Sequence, residues 1–176
     1  MIIDAYEERD VAIADIPGAY LHAEMPKGKN VLLKLEGEFV DIMCSVNPEH
    51  VKNIVYERKG RKMVKVLYLK VLRAIYGCLE SALLWYNLYV HTLQGLGFEL
   101  NPYDMCVANK IIDGSQCTIA FYVDDNKISH RDSKEVDGII DQLRKEFGNV
   151  TYSRRKQHDF LRMDVVFKKT KQYLYI

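Results

Sequence analysis

No apolar run in this 176-residue sequence is long enough to cross a membrane, which excludes a helical membrane span. The first ten residues, Met1 to Asp10, are acidic and carry no signal-peptide pattern. Cysteines are few. Cys44, Cys78, Cys106 and Cys117 are never spaced as Cys-x-x-Cys, which argues against a zinc site or a disulfide framework. Buried free thiols in a reducing, intracellular compartment are expected instead. The five histidines, His22, His50, His91, His130 and His158, are scattered without ligand spacing. A surplus of charge is also missing: 25 Lys and Arg stand against 24 Asp and Glu, a formal net charge of +1. The chain as a whole therefore announces no polyanion partner, and only local basic runs could. What is left is the composition of a soluble globular protein, 48% hydrophobic and 28% charged, of a length that suits one domain with a real core.

One stretch organises the rest. Thr118 to Val123 is an apolar, β-rich run that ends in Asp124-Asp125-Asn126, and a second short run, Lys127 to Ser129, follows at once. Asp-Asp-Asn is turn chemistry, so the expected shape is a hairpin with two carboxylates at its tip. Such a tip holds carboxylates rigidly, as a hard divalent cation requires; the plainer alternative is that Asp124 and Asp125 only form the turn. A second strand, Asp10 to Asp15, also ends in a carboxylate, and Pro17-Gly18 breaks it before a helical turn. Asp15 too has a plainer reading, as a capping or turn residue.

The other elements follow from period and punctuation. Asn30 to Gly37 and Met63 to Val71 read as strands, with short helices around Phe39–Met43 and from Asn47-Pro48-Glu49. Arg58 to Lys62 is a basic turn. A long helix carries Leu84, Leu88 and Leu96 on one face with Trp85, Tyr89 and Leu93 beside them, closed by Gly95 and Gly97. Its aromatic stripe reads as core. Cys106–Ile112, Asp113-Gly114 and Gln116–Val123 form a hairpin signal. Ser133 is the expected N-cap of an amphipathic helix with Val136, Ile139, Ile140, Leu143 and Phe147 at helical spacing, ended by Gly148. Val150–Tyr152, Asp159–Phe167 and Gln172–Ile176 read as further strands. The runs Arg154-Arg155-Lys156 and Lys168 to Lys171 are expected to be solvated surface, with nucleic-acid contact as the alternative.

This order predicts an α+β fold, an antiparallel sheet with helices packed on one face. The strand ends at Asp15 and Asp124 could then be neighbours. Three converging carboxylates would repel and raise one another's pKa, and two divalent cations would turn the repulsion into attraction. Such a site could clamp the attacking 3′-hydroxyl and the leaving pyrophosphate of an in-line phosphoryl transfer.

Several motifs resemble a known family. Tyr122-Val123-Asp124-Asp125 matches the signature of reverse transcriptases. Asp15 with Ala19-Tyr20-Leu21 resembles the first carboxylate motif of the Ty1/copia LTR-retrotransposon branch. Ile75-Tyr76-Gly77 with Trp85-Tyr86 is similar to that branch's Leu-Tyr-Gly…Trp-Tyr block, Gly97-Phe98 with Asp104 to its Gly-Phe…Asp element, and Phe160-Leu161 with Met163 to its Phe-Leu-Gly-Met element. The motifs keep their order over nearly the whole chain. The resemblance implies the palm of a right-hand RNA-directed DNA polymerase, intracellular and cytoplasmic, including retrotransposon particles. Asp15 and Asp124, with the Ile16 carbonyl, would bind two Mg²⁺ (or Mn²⁺), and Asp125 would sit beside them. Tyr20 would lie under the sugar of the incoming deoxynucleoside triphosphate, with Tyr76, Gly77 and Tyr122 bordering its pocket. Phe160, Leu161 and Arg162 would lie near the primer terminus, and Arg154, Arg155 and Lys156 are candidate contacts to an RNA or DNA template-primer.

The departures are Leu79 for the family's Lys, Glu80 for Gln, Ala82 for Pro and Arg162 for Gly. Against the family's layout, residues 1–176 correspond to a palm-like domain. The expectation is a piece of a Pol polyprotein with the fingers largely missing and the thumb and RNase H absent, a poor polymerase by itself. The alternative is a non-catalytic, decayed or repurposed nucleic-acid-binding domain of the same origin. A fainter one, another palm-type enzyme such as a nucleotide cyclase, would need a purine pocket that the sequence does not show.

Overall fold

The computed structural model describes residues 2–154, 157–161, 163–166 and 173–174. After a short helix α1 (Ile2–Tyr6), strand β1 (Asp10–Asp15) leads into a single helical turn, α2 (Ala19–His22). A lobe follows, made of β2 (Leu32–Glu36), α3 (Glu38–Val46), a 3₁₀ turn (Pro48–Asn53), β3 (Val55–Lys59) and β4 (Lys62–Lys70). The long helix α4 (Ser81–Gly95) then precedes β5 (Glu99–Asn101), β6 (Asp104–Ile112), β7 (Ser115–Tyr122) and β8 (Asp125–His130). Helix α5 (Ser133–Phe147) is followed by β9 (Thr151–Ser153), β10 (Gln157–Phe160), β11 (Met163–Val166) and β12 (Tyr173–Leu174). The fold is mixed α+β. Its main sheet has six antiparallel strands in the order β5-β6-β7-β8-β1-β9, and two three-stranded sheets, β2-β4-β3 and β10-β11-β12, accompany it. Among the described residues no helix is long and apolar enough to cross a membrane.

The strands that carry the acidic residues form for local reasons. Asp113 and Gly114 both take positive φ (49° and 75°), the pattern of a type I′ turn, and so register β6 against β7. In β1, Ala12 and Ala14 point into the core, and their small side chains let α5 pack close to the sheet. Helix α5 buries Val136, Ile139, Ile140, Leu143 and Phe147, each contributing about 1.5–3 kcal/mol through loss of water contact. Its cap is one residue earlier than the sequence suggested. Asp132, in an extended conformation, accepts the Lys134 N–H at 2.9 Å, and Ser133 is already helical.

The buried face of α4 is the aromatic one that its stripe suggested. Trp85, Tyr89 and Leu93 are its innermost residues, while Leu84 and Leu88 are half-buried. The flat rings fill the space between α4, α5 and the sheet: Trp85 stacks on Tyr89 at 5.3 Å, and Phe147 meets Trp85 edge-on at 5.2 Å. The Asp159–Phe167 run is not one strand in its described part. Leu161, at φ 54°, turns the chain between β10 and β11.

Helices α4 and α5 share one face of the main sheet, but α1 does not. Lys127 alternates with the core residue Ile128, so it points to the opposite face, where its Nζ meets Asp4 Oδ2 of α1 at 2.7 Å. Both side chains are almost sealed from solvent, 5% and 3% exposed. Arg9 adjoins the pair, 4.0 Å from Asp4, and donates to Glu7 at 2.9 Å and to Thr118 at 3.1 Å. Burial by itself would raise the Asp4 pKa, but the Lys127 charge and hydrogen bond outweigh it and bring the carboxyl from 3.8 down to about 2. A carboxylate with a folded pKa below its unfolded one stabilises the fold above the unfolded value, and the contribution is lost as pH falls through the folded value. About 2 kcal/mol should therefore disappear between roughly pH 4 and pH 2. Urea unfolding across that window checks it: Asp4→Asn should show the shallower pH dependence, and identical profiles would mean that Asp4 is not the group responsible.

Candidate active site

Two strand ends build the acidic site. β1 and β8 are adjacent and antiparallel, and their last and first residues, Asp15 and Asp125, are register partners. One step further, the Ile16 N–H donates to the Asp124 carbonyl at 3.1 Å, so the pairing continues past the strand ends. β7 and β8 are joined by Val123 and Asp124 alone. Val123 takes φ 54°, the geometry of the first central residue of a type II′ turn, where glycine is usual. A β-branched side chain there stores about 1–3 kcal/mol of strain, so the surroundings must hold it.

They do so through α4. Trp85 Nε1 donates to the Val123 carbonyl at 2.7 Å. Asn126 Nδ2 donates to the Asp124 carbonyl at 2.8 Å, and the Tyr89 hydroxyl donates to Asn126 Oδ1. Sequence reasoning read Trp85 and Tyr89 as core stripe and Asn126 as a turn former, and missed this arrangement. The one signal available was an amide inside a strand, a side chain that needs partners once buried.

The charges converge as the backbone does. Asp15 has its pKa raised, first by partial burial and then by the charge of Asp124. The Tyr76 phenol is raised by burial, then by the charge of Asp124, by Tyr20 and by Asp15, although the residue is 63% exposed. Asp15, Asp124, Tyr20 and Tyr76 therefore share one neighbourhood, and the rings of Tyr20 and Tyr76 lie 4.6 Å apart at 48°. Gly77 follows at φ 89° with no atom within 4 Å of where a Cβ would stand, so conformation rather than space calls for glycine there. Ile16 is fully buried, and Tyr122 is exposed beside Asp125, its strand partner. A cleft of about 370 Å³ lies behind the turn, lined by Tyr20, Trp85, Tyr86, Tyr89, Phe121 and Val123 among others. Among the described residues no group of three or more His, Cys, Asp or Glu side chains is gathered closely enough to hold a metal ion by itself.

The remaining candidates lie elsewhere. Phe160 is buried in the β10–β11 hairpin and Leu161 forms its bend. Arg154 pairs with Asp10 at 3.1 Å and Asp137 at 2.9 Å and donates to the Ser133 carbonyl at 3.2 Å, which ties its guanidinium to its own chain. Arg155, Lys156 and Arg162 lie outside the described residues. Of the residues that depart from the motif, Leu79 is 97% exposed, Glu80 pairs with Lys29, and Ala82 stands at the cleft. Comparison of the chain with protein-family models, with curated proteins and with solved structures finds no match in any of the three.

Proposed function

We propose that this chain is a polymerase palm that adds deoxynucleotides to a primer 3′ end on an RNA template, of the copia type that its motifs resemble. The observation that carries the reading is the approach of Asp15 and Asp124 across β1 and β8, with Tyr20 and Tyr76 beside them. The donors suit Mg²⁺. They are hard oxygens, they repel one another without a cation, and Mg²⁺ is usually held by one or two carboxylates together with substrate phosphates rather than by an all-protein cage. When bound, two such ions supply Lewis acidity at the 3′-hydroxyl and neutralise charge on the leaving pyrophosphate. Asp15 and Asp124 would hold and orient the ions, with the Ile16 carbonyl as an additional oxygen donor. Asp125 flanks them.

Tyr20 sets the sugar. Five residues after Asp15, beyond the Pro17-Gly18 break, its half-buried ring lies against Tyr76. In this reading the ring lies under the sugar of the incoming nucleotide, where it leaves no room for a 2′-hydroxyl and offers it no partner. An unpaired buried hydroxyl costs roughly 1–3 kcal/mol and a steric clash adds to that, so discrimination of about tenfold to a few hundredfold is expected. Primer extension on an RNA template with Mg²⁺ or Mn²⁺, by the chain alone and joined to fingers strands, tests the function. In the joined form Tyr20→Val should raise ribonucleotide incorporation and leave deoxynucleotide incorporation largely intact. Equal loss of both would reduce Tyr20 to a packing residue.

A further inference from the structure

We propose that Trp85, Tyr89 and Asn126 are positioning residues, a brace from α4 and β8 that fixes the turn on which Asp124 is carried. The proposal rests on the reading of Asp15 and Asp124 as the reactive carboxylates. Its geometry stands apart from that reading.

The turn cannot hold itself. Val123 occupies a positive φ that its branched side chain disfavours, and a two-residue connection has few bonds of its own. Two consecutive carbonyls, Val123 and Asp124, are instead gripped from outside the turn. The Val123 carbonyl accepts the Trp85 indole N–H at 2.7 Å. The Asp124 carbonyl accepts both the Ile16 N–H at 3.1 Å and the Asn126 amide at 2.8 Å. Once these two carbonyls are fixed, the Asp124 Cα and the direction in which its side chain leaves the backbone are fixed relative to β1, where Asp15 stands.

The brace is rigid because its members are packed as well as bonded. The Trp85 ring is held between Tyr89 at 5.3 Å and Phe147 at 5.2 Å, so its N–H cannot swing away without disturbing α5. Asn126 is 0% exposed, and its amide is satisfied by Tyr89 on one side and the Asp124 carbonyl on the other. A buried amide in a strand is a costly way to gain stability, since an apolar side chain would pack there with no polar partner to find. Its return is orientation: the amide has one arrangement that satisfies it, and that arrangement holds the turn. Tyr89 plays the same part at one remove. Tyr89 is fully buried, and among the described residues its hydroxyl bonds to Asn126 alone.

The test removes the hydrogen bond and keeps an aromatic ring at the position. In Trp85→Phe, amide hydrogen exchange at Ile16, whose N–H reports on the Asp124 carbonyl, should rise tenfold or more. Exchange at Ile119, in the middle of β7, should stay within twofold. Tyr89→Phe should move Ile16 in the same direction by a smaller factor, and it serves as the second variant if Trp85→Phe does not fold. In a joined, active polymerase both variants should lower kcat by tenfold or more with little change in KM for the nucleotide, because a brace acts on alignment rather than on binding. Unchanged Ile16 exchange in both folded variants overturns the proposal. Faster Ile16 exchange in the variants, together with a wild type that neither binds divalent cations nor extends primers, keeps the brace and sinks the reading of Asp15 and Asp124 instead.

Discussion

Lys127→Met should destabilise the protein by about 3–5 kcal/mol, a large share of the 5–15 kcal/mol by which a domain of this size is held folded. The substitution leaves Asp4, 3% exposed and 2.7 Å from where the ammonium stood, as a carboxylate without its main partner. Arg9, at 4.0 Å, is too far for a full hydrogen bond and replaces only part of the lost attraction. The loss is the penalty of stranding a buried charge and not the net worth of the pair. For that reason the double replacement Asp4→Leu with Lys127→Met should recover most of the stability. Urea denaturation of the two single variants and the double measures the cycle. A loss below about 1 kcal/mol in Lys127→Met would mean that the pair behaves as a surface ion pair despite its burial.

The second large effect concerns the acidic tip, where activity and stability should move in opposite directions. In the form joined to fingers strands, Asp124→Asn and Asp15→Asn should each lower primer extension by at least about 10³-fold, since each removes a charged ligand for which a neutral amide is a poor substitute. The metal-free Asp15→Asn protein should nevertheless be the more stable one. The Asp15 carboxyl titrates above its usual range in the folded state, from burial and then from Asp124. An acid with a raised folded pKa binds more protons folded than unfolded, so its ionisation costs stability, and the cost is fully present at neutral pH. Solvent screens part of it, which limits the expected gain to about 0.5 kcal/mol. The gain should shrink toward pH 4 as Asp15 takes up its proton in the wild type. Thermal unfolding at pH 4 and pH 7 separates these cases, and an Asp15→Asn protein less stable than wild type at both would contradict the repulsion.

How far these features were legible depended on how local their causes are. The hairpin of β6 and β7 was readable because Asp113-Gly114 specifies its turn within two residues, and α5 because five apolar residues keep a helical period. The placement of Asp15 next to the Asp124–Asp125 tip was readable as a possibility, because two strands each end in acid. The cap of α5 was off by one because Asp132 and Ser133 are both good capping residues, and only the extended conformation of Asp132 decides between them. What stayed hidden was non-local. Helical spacing marks Trp85 as core, but nothing near it in sequence says that its N–H will meet a carbonyl 38 positions away. Likewise Lys127 sits in a run that reads as ordinary strand, and its partner Asp4 lies 123 positions earlier in a helix of five residues too short to show a period.

The central claim, that Asp15 and Asp124 together hold a divalent cation, is tested most directly by anomalous scattering from crystals soaked in Mn²⁺ with a deoxynucleoside triphosphate. The account predicts a peak between the two side chains, with an oxygen of each carboxylate at about 2–2.5 Å from the ion. The peak should vanish in Asp124→Asn. A site with no peak, or with Mn²⁺ bound to the triphosphate alone while the two carboxylates face away from it, would contradict the claim.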